Sequence, residues 1–543
     1  MKNIFKKLIG ISFVVLFLFG GCTKDFDEMN ITPNQPSEIP PQYLLTDAEK
    51  NLVAFMWDEW WNGRFGNLYS QFWSQTSYTD ESRYSPRDGV LNNYWTYFYA
   101  GRDVVPDGTL NGGGMEDLER IIKLNTDEDT KMKASASGPN MNQIAVARIL
   151  KVWMFQILTD TWGYIPYSQA LQGADNSSPA YDSQESIYPA LITEITDAQA
   201  QIDVAAGSIL GDIIYGGDMA KWKKFANSVK MRIAIRMSND NVDKAGAGNA
   251  ISEAFAAGAF TSIDDNAAYF FLGGVPSNNP LNENQKTRQD FAVSKTLIDF
   301  LKLKNDPRLP FYANGTVNDP TKYVGFPYGM DNGEATALST TNHSMPGNIV
   351  YAPTAPAFYM LYDEVEFILA EACVRLGLNG IAKDHYEAGI KASMNYWNQL
   401  KDNTPMGWDR IDNGNTNVLP ASITGAEMDA YIASAEVAWD AAKALQLIAE
   451  QKYIALYPSG LQAWFEYNRT GFPAILVQPG ETVPYDGGSY TFIPMIEPLD
   501  HKTPHRMYYP SEEQDLNGAN RDAAVAAMKG DGDKFSTKLW WQK

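Results

Sequence analysis

Asp363-Glu364-Val365-Glu366-Phe367-Ile368-Leu369-Ala370-Glu371-Ala372-Cys373-Val374-Arg375-Leu376-Gly377 is the stretch from which the fold class is read. Val365, Ile368, Leu369, Ala372 and Leu376 step by three and four, with Asp363, Glu364, Glu366 and Arg375 between them, which makes one apolar stripe on an amphipathic helix. Gly377 and Gly380 stop that helix, and a second helical pattern runs from Ile381 to about Leu400, so the spacing predicts a helical hairpin with a tight connection. Leu369-Ala370, Ala382, Tyr386 and Gly389 follow the tetratricopeptide spacing at which small residues let paired helices approach. Glu366 and Cys373 stand where that repeat prefers aromatics, so the match is partial.

Similar pieces recur on either side. Asn142 to Leu158 is apolar almost all round and predicts a central buried helix. Asp182 and Glu185 have capping-box spacing before a helix ending near Ile202. Trp222, Phe225, Ala226, Val229, Ile233 and Met237 form a stripe with lysines and arginines opposite, and Ala441, Leu445, Ile448, Ala449 and Leu456 form another. Strand signals are few and short. The pattern is all-α: a scaffold of tetratricopeptide-like helix pairs carrying long irregular loops, chiefly 101–138, 273–285, 312–356, 402–420 and 473–504. Loops of that length in a compact protein carry function.

The 543 residues are 44% hydrophobic and 20% charged, enough to bury a large core. With 65 acidic against 44 basic side chains the formal charge is −21, which disfavours nucleic acid and anionic membrane surfaces as partners. Two cysteines and four histidines exclude a zinc or disulfide framework. At the amino terminus, Lys2, Lys6 and Lys7 precede an apolar run from Leu8 to Phe19, too short for a bilayer span of about 20 residues. This reads as an export signal over residues 1–21. Leu18-Phe19-Gly20-Gly21-Cys22 resembles the lipobox of bacterial lipoproteins, with Phe19 in place of the usual aliphatic residue, so Cys22 is expected to carry the lipid anchor. Residues 22–41, acidic and then proline-rich, read as a tether, and 42–543 as one helical domain. Cys373 is then left as a small buried hydrophobe.

Several stretches carry a resemblance to a known family. They are Arg148 to Lys151 through Asp160-Thr161-Trp162-Gly163-Tyr164-Ile165-Pro166-Tyr167, Lys221 to Ser228, Asp306-Pro307-Arg308-Leu309-Pro310, Ala449 to Tyr453 with Glu466 to Gly471, and Arg506-Met507-Tyr508-Tyr509-Pro510-Ser511-Glu512-Glu513. In this order, behind a lipobox, the chain resembles the SusD/RagB nutrient-binding lipoproteins of the outer membrane. In the last stretch Ser511 is placed to cap a helix, with Gln514 at the reciprocal position. The resemblance implies four tetratricopeptide-like helix pairs, capture of oligosaccharides or, in some branches, peptides, delivery to a SusC-like TonB-dependent barrel, and no enzymatic activity. The motifs themselves look like framework and locate no binding site.

Candidate ligand residues therefore rest on chemistry. Sugars offer apolar faces edged by hydroxyls, which suits aromatic platforms flanked by polar side chains. Trp73, Tyr78 and Tyr84, with Asp80 and Arg83, lie where polar and turn residues interrupt the helical period; Tyr328 in a Pro-Tyr-Gly turn and Trp408 beside Gly407 are further candidates. The helical spacing of Trp57, Trp60 and Trp61, and of Tyr94, Trp95 and Phe98, points instead to core. No P-loop, GxGxxG, GxSxG or HExxH motif is present, and no cofactor is expected. His501 and His505 are four apart, but Pro504 argues against a helix joining them on one face, and Gly530-Asp531-Gly532-Asp533 lacks the remaining ligands of a calcium loop, so no metal is assigned. A hydrolase needs only two carboxylates close in space, so a surface hydrolase and a protein-binding repeat scaffold stay open beside nutrient capture.

Overall fold

In the computed structural model, residues 39–103, 110–408, 410, 418–496, 499, 501–528, 530 and 532–542 are described. The export signal, Cys22 and all but the end of the tether lie outside them, as does Asp531. Helices α1 (Pro41–Phe55), α2 (Asp88–Ala100) and α3 (Met115–Thr126) precede four helix pairs among the described residues. The pairs are α4 (Asn140–Trp162) with α5 (Gln184–Gln201), α6 (Met219–Arg236) with α7 (Lys244–Ala257), α8 (Tyr362–Arg375) with α9 (Ala382–Asn403), and α10 (Ala444–Ala455) with α11 (Gly460–Thr470). Helix α5 packs on α6, α6 on α8 and α8 on α10, so the pairs stack in chain order. The expected all-α scaffold of tetratricopeptide-like pairs is what the chain forms. Among the described residues its strands are short and pair only two at a time.

The hairpin read first from sequence shows why the pairing works. Gly389 of α9 faces Phe367 of α8 so closely that an added Cβ would stand 2.9 Å from the ring. A side chain there would push the two helices apart. The central helix is as buried as its composition predicts: within Asn142–Trp162 only Arg148 and Lys151 reach partly to solvent, and they pair with Glu194 at 2.6 Å and Glu119 at 2.6 Å.

The charged side chains of α6 and α8 depart from expectation. Amphipathic spacing places them outward, yet Arg232, Arg236, Glu364, Glu366 and Glu371 are buried, because each helix is covered on more than one side by neighbouring pairs. Glu366 pairs with His385 of α9 at 2.7 Å, and the others join one another or the charges of neighbouring pairs. Arg236 meets Asp160 of α4 at 3.2 Å and Glu466 of α11 at 3.8 Å; Glu466 also takes Lys452 of α10 at 3.0 Å and Arg469 at 2.7 Å. Arg469 forks onto Glu371 with two bonds of 2.6 Å, and Arg232 onto Glu364 at 2.8 and 2.5 Å. One ionic network thus joins all four pairs. Attraction from Arg469 holds the Glu371 and Glu466 carboxyls below their ordinary range against the opposing effect of burial, the larger influence on each. The motifs that carry the family resemblance meet in the same interior: Arg308 grips Asp306 and donates to Gln451 at 2.8 Å, and Arg506 donates to the Trp162 carbonyl at 2.9 Å.

Local readings shift by small amounts for definite reasons. Ser183, not Asp182, caps α5, because Asp182 instead accepts from the Tyr167 and Ser168 amides. Ser511 lies inside its short helix and donates to Asp88, so Pro510 holds the cap position. The stretch 101–138, read as loop, contains α3, whose stripe of Met115, Leu118 and Ile121 is buried. Cys373 is only half-buried, near His385 at the α8–α9 turn. His501 and His505 do approach, with ring centroids 4.7 Å apart, in an irregular segment rather than a helix. Among the described residues no group of three or more potential ligands could hold a metal ion, and no helix is long and apolar enough to cross a membrane.

Candidate functional site

The segment from Ser70 to Tyr84 is fixed to the scaffold before it reaches the surface. Tyr453 of α10 donates to the Ser70 carbonyl at 2.7 Å, and the Gln71 amide exchanges two bonds of 2.8 Å with Val477. Strand Trp73–Gln75 then pairs antiparallel with Phe291–Val293, placing Gln75 opposite Phe291. Thr76 continues the ladder by donating to the Asp290 carbonyl at 2.9 Å.

Beyond this ladder the chain turns outward at Tyr78. Its φ of 53° lies in the left-handed region, which an aromatic residue rarely adopts, and its side chain is 55% exposed. The conformation is held from two sides. Asn332 accepts from the Tyr78 amide at 2.6 Å, and the Arg288 guanidinium lies 5.4 Å from the ring centroid. Arg288 is itself aimed by Asp290, at 2.7 Å. Asp290 also takes Arg64 at 3.5 Å, and the Arg64 guanidinium lies 4.6 Å from the Trp60 ring. Trp60 is 37% exposed. Two exposed rings, Trp60 and Tyr78, are therefore linked by two arginines that share one buried carboxylate. The polar edge comes from Arg83, which pairs with Asp331 at 3.1 Å and donates to the Ile493 carbonyl at 2.9 Å, beside the exposed side chains of Ile493 and Met495.

The turn beneath this surface is built by buried charge. Glu81 accepts from Arg64 at 3.1 Å and Gln75 at 2.7 Å and pairs ionically with Arg87 at 2.9 Å, which fixes the loop 79–84. Burial pulls the Arg64 guanidinium below its ordinary range while Glu81 and Asp290 oppose that shift. Gly329, at a φ of 72°, allows the Tyr328 turn to lie against Phe492, where a Cβ would stand 2.5 Å from the ring; this sets Asp331 and Asn332 against Tyr78 and Arg83.

The sequence-derived candidates separate cleanly. Tyr78 and Arg83 come together at the surface, with Asp80 half-buried in the same turn, its carbonyl accepting from Arg83 and Ser85. Trp73, Tyr84 and Tyr328 are 0% exposed and present no ring face. Trp73 is held by the Tyr457 hydroxyl at 3.1 Å, and Tyr84 and Tyr328 both pack edge-on against Phe492. Strand pairing and apolar neighbours take them inside, which polar interruptions in the sequence do not reveal. Trp408 is half-buried beside Arg410, in a separate cluster with Tyr351. Trp60 moves the other way: read as core from its spacing, it sits in a π-helical turn, Glu59–Gly66, that rotates it outward while Trp61 stays inside. Arg288, Asp331 and Asn332 were missed, since they reach Tyr78 only through tertiary folding; the sole local signal is the Asp-Asn-Gly turn at 331–333.

The chain is thus a stack of tetratricopeptide-like helix pairs that carries the exposed rings Trp60 and Tyr78. The chain belongs to the SusD-like family described as starch-binding associating with outer membrane, whose sequence profile it matches over residues 33–510. Among solved structures it is similar to a chitin-binding protein, at 27% identity and a TM-score of 0.72, covering 93% of this chain and 100% of that one. It is similar also to a SusD homolog from Bacteroides uniformis, at 25% identity and a TM-score of 0.69, covering 92% and 99% of the two chains. A chitin-binding SusD homolog from Flavobacterium johnsoniae shares the fold, at 24% identity and a TM-score of 0.67, covering 93% and 97%. A comparison with curated proteins finds no match.

Proposed function

We propose that the protein is a lipid-anchored surface receptor that captures oligosaccharides on the Trp60–Tyr78 surface and hands them, uncleaved, to a SusC-like TonB-dependent barrel. The observation that carries this reading is Tyr78: an exposed ring kept in an unfavourable backbone conformation by Asn332 and Arg288. A rigid, pre-placed ring stacks on the apolar face of a sugar at small entropic cost, and Arg83, Asp331 and Asn332 supply hydroxyl partners at its edge. The carboxylates of Glu81, Asp290 and Asp331 are engaged by arginines, an arrangement suited to holding a surface rather than transferring protons. The family description and the chitin-binding names of two relatives support a glycan ligand. The lipobox-like run ending at Cys22 supports the lipid anchor.

Calorimetric titration of the protein with starch-derived, chitin-derived and peptide oligomers tests capture. Binding of one glycan class, lost in Tyr78→Ala, is expected; peptide binding alone would transfer the same surface to the other ligand class, and turnover of the glycan would overturn the receptor role. Copurification of a large barrel from membranes, and mass spectrometry of a diacylated Cys22 peptide, test delivery and anchoring.

A further inference from the structure

At the carboxyl end of α2, away from the sequence segments that build the Tyr78 surface, an open recess of 330 Å³ lies between four pieces of chain. Its walls are Trp95 and Tyr99 of α2, Glu116 of the first turn of α3, Asn176 and Ser177 of the loop between α4 and α5, and Glu513 of the short helix Ser511–Leu516. The rings are fixed from behind. Trp95 packs edge-on against Trp162 and Tyr509 and stacks on Tyr181, and the Tyr99 hydroxyl donates to the Pro166 carbonyl at 2.8 Å.

Among the described residues the recess has one sign of charge: Glu116 and Glu513 line it, and no lysine or arginine does. Glu513 is held only by neutral donors, Tyr181, Trp95 and Asn517, and neither acid forms an ion pair among the described residues. Lys123, Lys151 and Arg120 act on Glu116 from outside the wall, and Lys151 is occupied by Glu119 at 2.6 Å. Burial raises both carboxyls above their ordinary range, the direction that an arriving cation would reverse. Aromatic faces combined with unpaired acids are the recognition chemistry of an organic cation. The volume is at the small end of ligand sites, which span about 300–1,000 Å³, and so suits a single ring.

We propose that this recess binds one amino-sugar residue, its ammonium group held by Glu116 and Glu513, its apolar face on the half-exposed Tyr99 ring and its hydroxyls toward Asn176 and Ser177. The recess shares no lining residue with the Tyr78 surface. Calorimetry of the full chain with a glucosamine trimer, an N-acetylglucosamine trimer and lysine amide, in wild type, Tyr78→Ala, Glu116→Gln and Glu513→Gln, tests it. Glucosamine trimer should bind wild type and Tyr78→Ala alike and weaken about tenfold or more in each glutamine variant, while the acetylated trimer ignores both. Glu116→Gln changes a half-exposed side chain, so its result stands whatever Glu513→Gln does to folding. Glucosamine binding indifferent to both substitutions, an acetylated trimer that weakens equally, or lysine amide binding as tightly as the sugar would each overturn the proposal. Because Tyr78→Ala is carried through, loss of capture at Tyr78 reads out separately from loss at this recess.

Discussion

Arg469→Leu is the sharpest perturbation of the scaffold. The guanidinium makes four charge-assisted contacts: two of 2.6 Å to Glu371 and two, of 2.7 and 3.3 Å, to Glu466. After its removal Glu466 keeps Lys452 at 3.0 Å and Arg236 at 3.8 Å, whereas Glu371 keeps only Arg375, at 2.9 Å. The cost therefore falls on Glu371, a buried carboxylate stripped of its bidentate partner, and amounts to about 3–5 kcal/mol. Removing that carboxylate as well, in Arg469→Leu/Glu371→Leu, should restore about 2 kcal/mol or more, since the paired ions cost desolvation that leucines do not. Urea unfolding followed by circular dichroism measures both variants without the screening that a guanidinium salt would introduce. A single variant within about 1 kcal/mol of wild type, or a double variant weaker than the single one, would refute the view that the network is held together by Arg469.

Other perturbations address the interior and its pH dependence. Asp363, buried at the start of α8 beside Glu364, has its carboxyl pushed up to about 7 by desolvation first and by that neighbour second. The folded state thus keeps a proton that the unfolded chain releases near pH 4, so this group's contribution to stability is intact at pH 4 and declines as pH rises to about 7. Asp363→Asn should remove that decline, so that the variant's melting temperature gains on wild type as pH rises from 4 to 7; a difference from wild type that does not change with pH would refute the assignment. Trp73→Ala should lose about 3–5 kcal/mol in urea unfolding, as a core tryptophan does, while the folded fraction still binds glycan. Tyr78→Ala should leave the unfolding midpoint within about 0.5 kcal/mol of wild type. A reversed ranking would exchange the assigned roles of the two rings.

The scaffold was legible because helix pairing leaves a local trace: Val365, Ile368, Leu369 and Ala372 write their stripe into adjacent turns, and Gly389 marks where the partner comes close. What escaped was the second covering layer. Glu364 and Glu371 look solvent-facing on one helix, and only the stacking of α6, α10 and α11 against α8 brings Arg232 and Arg469 to them. The site divides in the same way. Tyr78 and Arg83 stand in a segment whose turn residues disclose exposure, but Asn332, Asp331 and Arg288 lie more than two hundred residues downstream and join them through contacts that no periodicity encodes. Trp60 was misplaced because helical spacing assumes α geometry, and the π-helical turn at 59–66 changes which ring faces outward.

The central claim is that a glycan docks on the exposed rings Trp60 and Tyr78. Calorimetric titration of wild type, Trp60→Ala and Tyr78→Ala with the best-binding oligosaccharide tests it most directly. The account predicts that affinity falls about tenfold or more in each variant at unchanged folding stability; glycan binding that survives both substitutions would contradict it.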